Sequence, residues 1–250
     1  MEKKNQSQGI LQDKNKNGKD RNWRARKLSN IKLAKSYQNL GYKENMVRKL
    51  FLISYFKEVA TFLPEFAGEL HEKKIVFIPT ASNVEKVNFF VNSGKKALEN
   101  LGAIVDVLDL STANEKEMKA KIADNDIIYV TGGNTFFLLQ EMKRTGADVL
   151  IKSAINSGKI YIGESAGAII TAPNIEYISS MDSIKKAPNL SNYEALRIVD
   201  FYTVPHYLNS PFQKITSNIV EQYSTKLTLQ PISNDEVILV EGDKMTILKN

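Results

Sequence analysis

From Met46 onward the chain alternates short apolar runs with stretches of helical period, and no other feature of the sequence constrains its fold as strongly. Lys49–Tyr55 (KLFLISY) reads as a first buried strand and the PEFAGEL region as a helix. KIVFIP at 74–79 is a predicted strand, Val84–Leu101 a helix, AIVDVLDL at 103–110 a strand and Asn114–Ala123 a short helix. DIIYVTGG at 126–133 is a strand, helices follow through Asn156, and KIYIGES at 159–165 is another strand. Strands that are apolar on both faces belong to a parallel sheet with helices on both sides. Past Ala172 the pattern loosens. RIVDFYTVPHY holds a strand, PFQKITSNIVEQYS a helix, and EVILVEGDKMTILK a hairpin that turns on Gly242 and Asp243. The predicted fold is a doubly wound, mostly parallel, flavodoxin-like α/β domain over residues 46–250.

Two scarcities restrict the chemistry. Cysteine is absent, which excludes disulfides, thiolate metal sites and a thiol nucleophile. Only His71 and His206 supply imidazole, so a zinc site with two or three histidines is all but excluded, and an imidazole base must be one of this pair. No metal and no cofactor is expected. No apolar run approaches the roughly 20 residues of a membrane span, and the N-terminus lacks the apolar core of a secretory signal. A cytoplasmic location without membrane association is the expectation.

The formal net charge of +6 suggests nucleic acid until its distribution is considered. Residues 1–45 carry a net +8 and residues 46–250 a net −2, so the basicity belongs to the N-terminal segment. Residues 1–22 are polar and are expected to be disordered, because they cannot bury enough surface to offset chain entropy. In 23–42, Leu28, Ile31, Leu33, Tyr37 and Leu40 recur at rough helical spacing and Gly41 is a stop signal, which predicts one basic amphipathic helix.

The most informative stretch is Ile160-Tyr161-Ile162-Gly163-Glu164-Ser165-Ala166-Gly167-Ala168. An apolar strand leads into G-x-S-x-G and then into small residues that can open a helix. A nucleophile elbow needs this arrangement, because a serine on a tight strand-to-helix turn projects its hydroxyl above the strand's carboxyl end. A second turn, Thr131-Gly132-Gly133-Asn134-Thr135, also ends a strand and opens a helix. Gly133 N–H and Ala166 N–H then form a candidate oxyanion hole, since adjacent turns share one edge of a parallel sheet. His206, in Val204-Pro205-His206-Tyr207, lies just past an apolar strand and is the candidate base. His71 sits in a charged connection. For the third member a carboxylate is expected; among Glu176, Asp182, Glu194 and Asp200, which lie between Ser165 and His206, Asp182 in the loop-like SSMDSIKKAP is preferred. Asn134 and Glu164 are assigned to substrate binding.

GGNTFFLL at 132–139, IGESAGA at 162–168 and VPHY at 204–207 together resemble the peptidase E family of serine peptidases, in which cyanophycinase is a more distant relative. KLFLISYFKEVA and FIPTAS at 77–82 share the likeness, which covers about 46–250. The resemblance implies the class I glutamine amidotransferase-like fold and an exopeptidase acting on short peptides, in peptidase E on dipeptides with N-terminal aspartate. It also implies Ser165 as nucleophile, His206 as base, and Gly133 and Ala166 as oxyanion donors. One departure is Glu164, where that family typically has an aromatic residue. An acid there disfavours an aspartyl side chain and favours a cation such as a free α-amine. Segment 11–42 is outside this likeness and resembles the start of plasmid rolling-circle replication initiators, whose catalytic histidine and tyrosine motifs do not follow. Residues 1–45 are therefore read as a fused or mis-started segment.

The leading expectation is a serine exopeptidase with a small peptide as partner. The alternatives are a non-catalytic α/β module binding a small anion at the glycine turns and a cyanophycinase-like isopeptidase. Nucleic acid is expected at most weakly, through residues 1–45, and a homodimer is the one assembly considered. A protein beginning at Met46 is expected to melt within a few degrees of the full chain. A drop of some 10 °C, the scale of about 2.5–5 kcal/mol in a domain of this size, would place residues 1–45 inside the fold.

Overall fold

The computed structural model describes residues 47–250; the disorder expected over 1–22 and the helix expected over 23–42 lie outside the described residues. A seven-stranded sheet runs in the order β3-β2-β4-β5-β1-β8-β9. Its parallel part is β3 (Ile104–Val107), β2 (Lys74–Ile78), β4 (Ile127–Val130), β5 (Ile160–Glu164) and β1 (Lys49–Ile53). An antiparallel hairpin, β8 (Glu236–Glu241) and β9 (Lys244–Lys249), extends the sheet beyond β1. Glu241 pairs with Lys244 across the Gly242-Asp243 turn, as the sequence predicts.

Alternation along the strands builds two cores, one on each face of the sheet. Leu50, Leu52, Ile128 and Val130 point to one side, where they meet α5 (Thr135–Thr145) and α6 (Ala147–Asn156). Phe51, Ile53, Tyr129 and Ile162 point to the other, against α1 (Phe56–Val59), α2 (Leu63–Ala67) and α3 (Phe89–Asn100). The central strands are buried almost completely, and each such large side chain contributes about 1.5–3 kcal/mol relative to exposure. α4 (Glu115–Asp124) joins the first core through Met118 and Ile122. No described helix is long and apolar enough to cross a membrane.

The structure differs from the sequence expectations in two places. Residues 80–84 form a 3-10 turn and α3 begins only at Phe89, not at Val84. Thr80 is held by Asp109 and by Leu110 N–H, Ser82 Oγ donates to Pro79 O, and Ala81 O accepts from Asn134 N–H. These bonds compete with a helical continuation. The sequence reading also lacks β7 (Leu229–Pro231), which pairs in parallel with β6 (Tyr202–Val204) away from the main sheet. With three half-buried residues it leaves no alternating pattern to read.

The chain reverses direction beside β2, which has β3 on one side and β4 on the other. Ligand sites in such sheets form at the strands' carboxyl ends near this reversal. There Gly133 adopts φ +132°, and a Cβ on it would fall 2.3 Å from both the carbonyl carbon and oxygen of Ala81. Gly133→Ala is therefore expected to destabilise the fold by about 2–5 kcal/mol, combining backbone strain and overpacking. Gly68→Ala, at φ +82° with nothing within 4 Å of its Cβ, carries strain alone and should cost much less. Chemical denaturation of the two variants checks the difference.

Candidate active site

β5 ends at Glu164, and the chain turns at Ser165 into the single helical turn α7 (Ala166–Ile169). Ser165 has φ 49° and ψ −105°, a strained conformation for a residue with a side chain. Its N–H continues the ladder to β1 by donating to Ile53 O at 2.8 Å. The turn closes only because its flanks are small. A Cβ on Gly163 would lie 2.5 Å from Gly167 O, and one on Gly167 would lie 2.2 Å from Val130 O. The G-x-S-x-G spacing is thus a spacing of close backbone approaches. The helix after it is one turn, so any stabilisation of an anion here comes from individual N–H groups more than from a long helix dipole.

His206 Nε2 lies 3.0 Å from Ser165 Oγ. The histidine follows β6, outside the main sheet, and is held near Ser165 through Ser54 at the end of β1. The buried Ser54 hydroxyl accepts from His206 N–H at 2.9 Å and donates to Ile232 O at 3.0 Å. One hydroxyl therefore ties the histidine loop and the loop after β7 to the central sheet. The imidazole also stacks on Phe212, with centroids 4.8 Å apart. His71, by contrast, is exposed in the turn before β2.

The expected triad acid is corrected. Asp182 accepts from Thr135 N–H at 2.8 Å, at the first residue of α5, and does not meet the histidine. His206 Nδ1 instead meets Asn234 Oδ1 at 2.8 Å. Because an amide oxygen only accepts, this contact places the proton on Nδ1 and leaves the Nε2 lone pair facing Ser165. Asn234 is itself held by Asn209 Oδ1, which accepts its N–H at 2.8 Å. The sequence reading missed Asn234 because it sought a carboxylate between Ser165 and His206. The available signal was a polar loop, Ser233-Asn234-Asp235, entering a buried strand. Burial lowers the His206 pKa below its usual value, and the Asn234 contact only partly offsets this.

Gly133 and Ala166 lie where the sequence places them, on adjacent turns. Gly133 N–H has no backbone acceptor among the described residues, and Ala166, first in its helix, has none within it. Asn134 caps α5 by accepting from Phe137 N–H, and its amide donates to Ser183 O at 3.2 Å. Glu164 borders the cleft but is 2% exposed. Its carboxylate accepts from Phe56 N–H at 3.0 Å and from the Tyr129 hydroxyl at 2.9 Å. Burial pushes its pKa up to about 7, against the pull of these bonds and of the Gly132 backbone. Both residues, expected to bind substrate, border the cleft and hold its walls together through these bonds. The cleft in front of Ser165 measures about 610 Å³.

The sequence matches the model of peptidase family S51 over residues 50–248. An uncharacterised peptidase of Listeria monocytogenes is 57% identical over 199 residues, covering 80% of this chain and 97% of the relative. Peptidase E of Citrobacter koseri is 30% identical over 149 residues, 59% of this chain and 62% of that protein. A crystal structure of a candidate peptidase E protein from Listeria monocytogenes EGD-e superposes with a TM-score of 0.79 at 55% identity, covering 82% of this chain and 99% of that one. An apolar strand ending in a strained serine, a histidine at 3.0 Å and a matching family model over nearly all the described residues lead to one assignment: this chain belongs to peptidase family S51.

Proposed function

We propose that the protein is a serine exopeptidase that hydrolyses short peptides, with Ser165 as nucleophile and His206 as general base. The observation that carries this reading is the 3.0 Å contact between Ser165 Oγ and the Nε2 face of an imidazole whose other nitrogen is held by Asn234. In the reaction Ser165 Oγ attacks the scissile carbonyl carbon while Nε2 takes its proton. The oxygen of the tetrahedral intermediate accepts from Gly133 N–H and Ala166 N–H. The imidazolium then protonates the leaving amine, and a water activated by the same nitrogen releases the acyl group. A cleft of about 610 Å³ suits a ligand of a few residues, which favours short peptides over folded protein. The same reading confines the enzyme to residues 46–250, gives residues 1–45 no part in catalysis, and places the protein in the cytoplasm, with the absence of cysteine as support.

Ser165→Ala is expected to lower the rate by about 10⁴-fold or more while leaving the melting temperature near wild type, as removal of a triad nucleophile does. A fluorophosphonate probe should label the wild type at Ser165 and leave the variant unlabelled. Wild-type turnover in Ser165→Ala would overturn the mechanism and favour an anion-binding module.

The amide in place of an acid has its own consequence. His206 must be neutral to act as base, and burial makes protonation harder, so its neutral form persists below the usual histidine range. The acid limb of kcat/KM, followed with a neutral ester, should therefore lie below pH 6.5. In Asn234→Asp an opposite charge favours imidazolium, and the limb should move up by about 1–3 pH units. A limb that stays in place would remove Asn234 from its assigned position.

A further inference from the structure

Four carboxylate and ammonium side chains border the cleft: Glu85, Glu164, Asp182 and Lys186. Their states differ. Lys186 Nζ is bound to Glu85 at 2.7 Å, and the Glu164 oxygens are taken by Phe56 N–H and Tyr129 OH. Asp182 accepts one backbone N–H, from Thr135, and forms no ion pair among the described residues. Burial pushes its pKa up to about 6; the Thr135 bonds pull against this, the nearby Glu85 raises it further, and the Lys186 ammonium, itself bonded to Glu85, lowers it. An added cation beside it would reverse the cost of keeping that carboxylate ionised.

The position of Asp182 says which cation. It is anchored to Thr135, two residues after the oxyanion donor Gly133 in the same turn. In a peptide whose first carbonyl is attacked, the α-ammonium is one carbon away from that carbonyl. A carboxylate fixed to the turn that holds the carbonyl oxygen is therefore placed for the ammonium. Much of the remaining wall is apolar: Val87, Phe89, Phe90, Met181 and Phe212 border the same space, interrupted by uncharged polar groups such as Ser183, Ser210 and Tyr55. An acidic first side chain would lose water there and meet the carboxylates of Glu85 and Asp182, with the lone bordering ammonium already paired to Glu85.

We propose that the cleft selects unblocked peptides with a neutral, apolar first side chain, that Asp182 is the counter-charge of their N-terminal ammonium, and that acidic first side chains are rejected. The proposal rests on the serine exopeptidase reading and names its substrate class. It sets this chain apart from an aspartyl dipeptidase within the same family.

The test uses the full chain with leucine-, phenylalanine- and aspartate-first dipeptides, their N-acetylated forms, and 4-nitrophenyl acetate as an ester without an ammonium. Leucine- or phenylalanine-first peptides should exceed aspartate-first ones in kcat/KM by about 100-fold, given the cost of juxtaposed like charges. In Asp182→Asn, which keeps an oxygen for Thr135 N–H, the ratio of peptide to ester kcat/KM should fall by about 10- to 100-fold, the scale of a hydrogen bond to a charged group. Acetylation should cost the wild type a similar factor and cost the variant little, since the two changes remove the same interaction. Preference for aspartate-first peptides, or an Asp182→Asn ratio equal to wild type, overturns the proposal and leaves the serine mechanism standing. If no substrate, the ester included, is turned over in a Ser165-dependent way, the exopeptidase reading itself fails and takes the proposal with it.

Discussion

The strained backbone at Ser165 is the constraint around which the rest of the structure is arranged. A side chain at φ 49° and ψ −105° costs on the order of 1–3 kcal/mol, and it persists only if the surroundings leave no alternative. They do so from three directions. The Ser165 N–H is fixed to β1, Gly163 and Gly167 are packed backbone to backbone, and Glu164 grips α1 and Tyr129 beneath the turn. Glu164 is notable for its cost, since a buried carboxylate is retained only where several donors meet it. Here it joins three segments that must stay in register for Ser165 to keep its place.

A second layer of support comes from outside the main sheet. β6 and β7 form their own small pair, and the loops that follow them carry His206 and Asn234. Ser54 connects both loops to β1 with one hydroxyl, donating to Ile232 O and accepting from His206 N–H. His206 and Asn234 are thereby positioned by the same atom. Under the proposed mechanism, Asn234 in the place of a carboxylate keeps the tautomer and gives up a full charge opposite the imidazolium. In a buried setting that exchange avoids one more desolvated anion in a cleft already bordered by three carboxylates.

Much of this was legible in the sequence. The apolar strands and the G-x-S-x-G turn follow from local rules, because strand burial, close backbone approach and turn chemistry are encoded within about ten residues. The scarcity of histidine left His206 as the candidate base by elimination, and the structure places its Nε2 3.0 Å from Ser165 Oγ. The helix start at Phe89 was not legible, because the bonds that hold residues 80–84 in a turn come from Asp109, Leu110 and Asn134, far along the chain. β7 was not legible either, since its pairing with β6 joins two short segments with weak patterns.

The sequence by itself determined the α/β architecture, the elbow serine and the family, since each rests on contiguous residues whose periodicity or spacing has one good structural solution. Only the tertiary structure decided what the polar side chains around Ser165 do. Asp182 lies closer to Ser165 in sequence than Asn234 does, yet it turns to the N-terminus of α5 while Asn234 arrives beside His206. Glu164 adjoins the nucleophile and faces the opposite side of the strand, where Phe56 N–H and Tyr129 OH claim it. The physical reason is that a polar group's role is set by which donors and acceptors share its burial. Those partners are brought together by packing between segments that the linear order keeps apart.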